Sequence, residues 1–347
     1  MLIGRESETI DLETAIGSDK SEFVAVYGRR RVGKTFLIRE VCNYSFAFEH
    51  TGVKSAKWEN PKGDREKCDA TKYQLEEFTA SLRRYGFTGR RRPRNWREAF
   101  QYLSDLLEKK PSGRKIVFLD ECPWLDTPRS DFLPALDHFW NGWCTMRKDI
   151  VLIICGSASS WIVGQIDGDV GGLHNRLTRH IYLRPFNLGE CERFARAKGL
   201  VMTRPQLLEC YMIFGGVAYY WDLLRKDQGL AQNIDRLLFA EDGELRDEFQ
   251  NLYSSLYKNA TGHIKIVTAL SEKGKGLTRS EIVQATQLPD NGKLSMLLTE
   301  LENCGFIRSY EPFLTVKPKQ DANRQIRDKV PALCSNLLTR SLFSTSK

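Results

Sequence analysis

Residues 23–41 read FVAVYGRRRVGKTFLIREV, an apolar run that breaks into a glycine-bearing loop and resumes at helical spacing. Gly28 and the triplet Gly33-Lys34-Thr35 give the pattern G-x-x-x-x-G-K-[ST], the phosphate-loop (Walker A) signature, in its required strand-then-helix setting. The residue types follow from the chemistry. Glycines let backbone N–H groups turn inward around phosphate oxygens, and the N-terminus of the next helix adds partial positive charge. In such loops the lysine, here Lys34, reaches the β- and γ-phosphates, and the hydroxyl, here Thr35, ligates Mg²⁺. A chance match in a chain of 347 residues is roughly one in a hundred. The spacing therefore predicts a nucleoside triphosphate site surrounded by Gly28, Arg29, Arg30, Arg31, Val32, Gly33, Lys34, Thr35 and Phe36. The three arginines occupy variable positions with Val32, where backbone does the phosphate work; they add positive potential or reach another domain, and no catalysis is assigned to them.

Around this loop the apolar pattern is that of an α/β domain. FVAVYG (23–28), KIVFLD (115–120) and DIVLIICGS (149–157) are short runs ending in Gly, Asp or Ser, as expected of parallel strands covered on both faces. YSFAFE (44–49) and RHIYLRPF (179–186) are two further strand candidates, with helix-like segments in between. The alternation predicts a doubly wound parallel sheet with helices on both faces over residues 1–186. From 187 to 260 the pattern is helical alone, with glycines at the stops, which reads as a helical lid subdomain. Residues 261–318 change again: three short helical patterns, a turn at LPDNG, and a glycine before a short strand predict a winged helix-turn-helix. The tail, 319–347, has no sustained period; disorder, truncation or an altered reading frame all fit it, and it is assigned no function. The polar stretch 55–71 reads as a surface loop.

Length and composition agree with that division. A chain of 347 residues exceeds the roughly 250–300 at which single cores stop growing, so at least two units are expected. Charged residues make up 28%, and the longest apolar runs fall well short of the ~18 residues of a membrane span. The start, MLIGRESETIDLE, is charged at once and has no apolar signal region. A soluble, cytoplasmic protein without membrane association is the expectation. Nine cysteines without a C-x-x-C pair read as buried reduced thiols rather than zinc ligands or disulfides. A net charge of +8 permits nucleic-acid binding without demanding it.

Three further segments bear on chemistry. KIVFLDECPW runs into Asp120 and Glu121, a Walker B-like pair: the first carboxylate suits Mg²⁺, and the second can polarise an attacking water. In LIICGSASSWI, Ser157 either touches the γ-phosphate or lytic water or caps the next helix, a task open equally to Ser159 and Ser160. In GGLHNRLTRHIYLRPF, Arg176, with Arg179 and Arg184 behind it, is either an arginine that stabilises transition-state charge at a neighbouring γ-phosphate or a solvated loop residue.

Taken in order, LIGRESE, VYGRRRVGKTFLI, IVFLDECPWL, ICGSASSWI, NRLTRHIYLRPF and FGGVAYYWDLL resemble the archaeal-type P-loop ATPase family. That family belongs to the signal-transduction ATPases with numerous domains, which are related to AAA+ ATPases. The resemblance covers roughly residues 1–318. It implies an AAA+-like P-loop fold, with Arg5 packing near the nucleotide base, Thr35 and Asp120 on the metal, and Glu121, Ser157 and Arg176 in catalytic roles, Arg176 as sensor or finger. It also implies that Gly215 and Gly216 form a structural turn. Family members commonly continue into another domain, sometimes nuclease-like, and the tail here shows no such pattern.

The expected function is thus a Mg²⁺-dependent ATPase that binds ATP between its α/β core and helical subdomain and moves a winged-helix module. The alternative is a nucleotide-gated DNA- or protein-binding module with little turnover. A small-molecule kinase is disfavoured because no acceptor-site motif is visible. For DNA, the third helix of the winged unit offers Asn291, Lys293 and Ser295, but Glu300 and Glu302 oppose phosphate along its second half. The basic run GRRRPRNWR, with Trp96, suits nucleic acid or is a solvated loop ahead of a helix, and the latter is favoured. An oligomer is compatible with the pattern.

Overall fold

A computed structural model describes residues 2–54, 70–157, 161–164, 176–257, 259–273, 276–310 and 325–328. The sequence readings for 55–69, for Ser159 and Ser160, for the GGLHN segment ahead of Arg176 and for most of the tail lie outside these residues. The chain divides into two compact units: Met1–Gly28 with Lys34–Leu183, and Arg29–Gly33 with Arg184–Lys347.

The first unit is built on five strands, β1 (Glu22–Tyr27), β2 (Phe48–Thr51), β3 (Lys115–Asp120), β4 (Ile150–Gly156) and β5 (Arg179–Tyr182), in the order β2-β3-β4-β1-β5. Every pairing is parallel. β4 is buried at all seven positions, which is why its sequence reads as an uninterrupted apolar run rather than an alternation. Its residues nonetheless serve two faces. Ile150, Leu152 and Ile154, with Phe23, Ala25, Val117 and Leu119, meet the helices Ala70–Arg84, Trp96–Glu108 and Phe132–Gly142 in one core. On the other face the helix Glu6–Ile16 packs against β1, β5 and the helix Lys34–Val41. The doubly wound α/β sheet expected from the sequence is therefore present.

One local reading is corrected, and one alternative is set aside. The strand expected at 44–49 lies at Phe48–Thr51, because Asn43 and Tyr44 adopt positive φ (50° and 54°) and form a turn. The basic run before Asn95 does not offer Trp96 for base stacking. Asn95 caps the helix with its side chain, Trp96 is fully buried against Phe78 and Phe132, and Arg92 and Arg94 pair with Glu76 and Glu98.

The second unit starts with helices Leu188–Ala197 and Arg204–Phe214, each opened by a capping box, and Ala218–Asp222, Leu230–Ile234 and Glu248–Leu256 follow. A π-helical turn, Asp235–Phe239, extends the Leu230–Ile234 helix. Gly215 ends the Arg204–Phe214 helix, and the Gly216 carbonyl accepts the Phe186 N–H at 2.7 Å. A separate core forms from helices Thr261–Ser271, Arg279–Thr286 and Gly292–Asn303 with a three-stranded antiparallel sheet: β6 (Leu277–Thr278), β7 (Ile307–Tyr310) and β8 (Gln325–Asp328), in the order β6-β8-β7. β8 falls in the tail that the sequence left without an element; its four residues carry no period, and they become a strand by pairing with both neighbours. Among the described residues no helix is long and apolar enough to cross a membrane.

Candidate nucleotide-binding site

Of the side chains that the sequence singled out as chemical, Lys34, Thr35, Asp120, Glu121 and Ser157 converge at the carboxyl ends of β1, β3 and β4, where ligands bind in open α/β sheets. Gly28 follows β1 with φ 147°, a conformation that residues with a β-carbon rarely adopt. A β-carbon there would also run into the backbone carbonyl oxygen of Leu183, the residue whose N–H donates to Tyr27 at 2.7 Å. Alanine at Gly28 combines left-handed strain with a backbone clash, so Gly28→Ala is expected to destabilise the α/β unit by about 3 kcal/mol. Urea unfolding followed by tryptophan fluorescence measures this.

Lys34 opens the helix Lys34–Val41, and its side chain lies buried and folded back, Nζ donating to the Gly28 carbonyl at 3.1 Å. The next residue, Thr35, donates its hydroxyl to Asp120 Oδ2 at 2.9 Å. The other Asp120 oxygen accepts the Glu121 N–H at 2.9 Å, which orients the carboxylate along the strand end. Glu121 sits at φ 49°, ψ 45°, left-handed, and turns the chain from β3 into the short helix Cys122–Leu125. Its carboxylate points across to β4, where the Ser157 hydroxyl lies 3.0 and 2.9 Å from its two oxygens.

Gly52, which no sequence motif marks, belongs to this arrangement. It follows β2, its N–H donates to the Asp120 carbonyl at 2.9 Å, and a β-carbon on it would stand 2.6 Å from the Glu121 carbonyl oxygen. The only sequence signal is a glycine just past a strand; that strand's pairing with β3 gives it meaning.

Two buried cysteines flank the acidic pair. Burial pushes the thiols of Cys122 and Cys155 well above their ordinary values, and the nearby Asp120 charge pushes them the same way. They stay protonated and are poor metal ligands. Cys42, Cys144, Cys191, Cys210 and Cys304 are likewise free and buried.

The remaining candidates lie in other settings. Arg5 is buried, at φ 69°, with Nη1 3.9 Å from Glu8. Phe36 is 47% exposed on the helix after the loop. Arg176, 44% exposed, donates to Asp137 Oδ1 at 3.0 Å, and Arg179 lies 3.9 Å from Asp11. Arg184 is exposed. Within the loop, Val32 is buried, whereas two of the three arginines turn to protein groups: Arg29 lies over the Phe306 ring at 5.0 Å and Arg31 over that of Tyr219 at 4.4 Å.

A parallel sheet of this order, with a glycine loop leaving β1 and an acidic pair leaving β3, is the framework of a P-loop nucleotide-binding protein. The chain belongs to the family described as an ATPase domain predominantly from Archaea, whose model matches residues 2–224. Among curated proteins it is 25% identical over 280 residues to an uncharacterized protein of Methanocaldococcus jannaschii, covering 78% of this chain and 54% of that one. The chain thus spans about half the length of that relative. Among solved structures, the Walker-type ATPase PABY2304 of Pyrococcus abyssi superposes with a TM-score of 0.62 at 18% identity, covering 97% of this chain and 96% of that one. The ORC2 protein of Aeropyrum pernix, solved as ADPNP-ADP complexes, gives a TM-score of 0.53 at 13% identity over 99% and 95% of the two chains. At these identities the two structures are evidence for the fold.

Proposed function

We propose that this chain binds ATP with Mg²⁺ at the phosphate loop, hydrolyses it, and couples its nucleotide state to a winged-helix module. The observation that carries the reading is the hydrogen bond from Thr35 to Asp120, 2.9 Å, beside Lys34 on the same helix turn. It pairs the two oxygen donors that a phosphate-loop Mg²⁺ takes from protein. Two protein oxygen donors suit an ion such as Mg²⁺ that takes its other ligands from water and phosphate. Thr35 and Asp120 would hold Mg²⁺, which when bound would neutralise charge on the β- and γ-phosphates. Lys34 would leave the Gly28 carbonyl for the phosphate oxygens. Glu121 would accept a proton from the attacking water, and Ser157 would orient either that carboxylate or the water. Arg5 near the base and Arg176 as sensor or finger complete the proposed set.

The arrangement of helices Thr261–Ser271, Arg279–Thr286 and Gly292–Asn303 with an antiparallel sheet supports a winged-helix assignment for the C-terminal module. Of the two acids that oppose DNA, Glu300 bonds His263 at 2.7 Å and Glu302 bonds Ser309 at 2.7 Å, so both are engaged within the module.

One observation favours the second reading, a nucleotide-gated DNA- or protein-binding module with little turnover. Ser157 engages both oxygens of Glu121, which occupies the carboxylate that would serve as base. Steady-state Mg-ATP hydrolysis, measured with and without duplex DNA over a salt series, separates the two. Turnover of about 1 per second or faster supports the ATPase. Negligible turnover with ATP-dependent, salt-sensitive DNA affinity supports the gated module. A protein that neither binds nor hydrolyses ATP overturns both.

A further inference from the structure

The phosphate loop contains one backbone feature that its sequence motif does not require. Arg31 has φ 69°, the left-handed region, where a residue with a β-carbon is strained unless its surroundings hold it. Its surroundings do so three times over. The Arg31 carbonyl accepts the Tyr219 N–H at 3.3 Å, its guanidinium lies 4.4 Å over the Tyr219 ring, and Nη1 forms an ion pair with the Glu248 carboxylate.

Glu248 is the more telling partner. It is 2% exposed and opens the helix Glu248–Leu256, where the helix end favours a negative charge. The Tyr220 hydroxyl donates to its Oε1 at 2.8 Å. A buried carboxylate needs a counter-charge as well as hydrogen bonds, and Arg31 supplies it. Glu248 in return fixes the one non-glycine residue of the loop that stands in a left-handed conformation. The guanidinium of Arg31 is therefore committed to protein, so its place in the expected phosphate-contacting set becomes that of a residue acting through the loop.

We propose that Arg31 and Glu248 are positioning residues for the phosphate loop: the buried carboxylate holds Arg31 left-handed and so presets the loop's backbone for phosphate. By linkage, nucleotide that requires the preset loop also stabilises the segment 218–256 that holds it. The inference rests on the nucleotide-site reading, and its test distinguishes the two.

The test compares ATP affinity, kcat and amide hydrogen exchange over 248–256 for the wild type and four variants. Glu248→Gln keeps shape and removes charge, and it is expected to weaken ATP binding about tenfold with kcat at saturation changed less than about twofold. Arg31→Gly permits the left-handed backbone but lacks the guanidinium, and it gives the same loss. The double variant is no worse than either single one, because both remove one interaction. Arg31→Lys restores charge and recovers most of the affinity. ATP slows exchange over 248–256 in the wild type and not in Glu248→Gln. Wild-type protein that binds ATP while Glu248→Gln and Arg31→Gly bind it equally well overturns the inference alone, as do additive losses in the double variant. Wild-type protein that binds no ATP overturns the nucleotide reading and this inference with it.

Discussion

Lys34→Ala is expected to weaken ATP binding about a hundredfold or more, measured by equilibrium titration, while leaving thermal unfolding of the nucleotide-free protein nearly unchanged. The asymmetry comes from where the side chain lies. Lys34 is buried at the start of the helix Lys34–Val41, and its Nζ donates to the Gly28 carbonyl, a neutral acceptor at the mouth of the loop. In the free protein the hydrogen bond lost to the Gly28 carbonyl is worth about 1 kcal/mol. With nucleotide present it loses the cation that would meet phosphate charge away from bulk water, where such a pair is worth several times more. Normal ATP binding by Lys34→Ala would remove the basis of the proposed site. Weak binding joined to a large fall in thermal stability would instead assign Lys34 a structural role.

Much of the fold was readable because its signals are local. β4 is buried at all seven positions, and its run of Val, Leu and Ile announces a strand without help from any other segment. The phosphate loop is legible for the same reason: glycine, lysine and threonine are close neighbours whose spacing the chemistry fixes. Pairing information is a different matter. The apolar pattern sets β2 too early because YSFAFE is more apolar than the strand itself, FEHT, and the choice is made by its register, Phe48 opposite Val117 and Thr51 opposite Asp120. β8 has no local signal, since QIRD has no pattern of its own and takes its conformation from Ile307–Tyr310 and Leu277–Thr278.

The same distinction runs through the site. Asp120 and Glu121 stand out by their position after an apolar run, and Asp120 accepts the Thr35 hydroxyl at 2.9 Å. The partnership of Glu121 with Ser157 required knowing that β3 and β4 are neighbours. Gly52 needed the β2–β3 pairing, and Glu248 needed a contact between residues far apart in the chain. The three arginines of the loop show the limit most plainly. By type they suggest phosphate, whereas the guanidinium of Arg29 lies over Phe306 and that of Arg31 is held by Glu248 and Tyr219.

Glu121→Gln is expected to retain ATP binding and to lower kcat by roughly 10²–10⁴, the usual contribution of a positioned general base. Glutamine keeps the shape of the side chain and can still accept from the Ser157 hydroxyl through its carbonyl oxygen, so the left-handed turn at φ 49° and the Asp120 contact to the Glu121 N–H have no reason to move. What is lost is the ability to take a proton from water. A companion variant, Ser157→Ala, decides what the hydroxyl does. If Ser157 orients the attacking water or touches the γ-phosphate, its removal lowers kcat as well. If it restrains the base, removal releases Glu121 Oε1, leaves Oε2 with the Ser157 backbone N–H at 3.4 Å, and raises turnover, and that rise disappears when Glu121→Gln is added. Single-turnover hydrolysis of radiolabelled ATP, with affinity measured separately, reads both effects without interference from product release. Unchanged hydrolysis in Glu121→Gln would show that the second carboxylate is not the base and would leave Asp120 as the acidic residue of the pair with a role at the nucleotide.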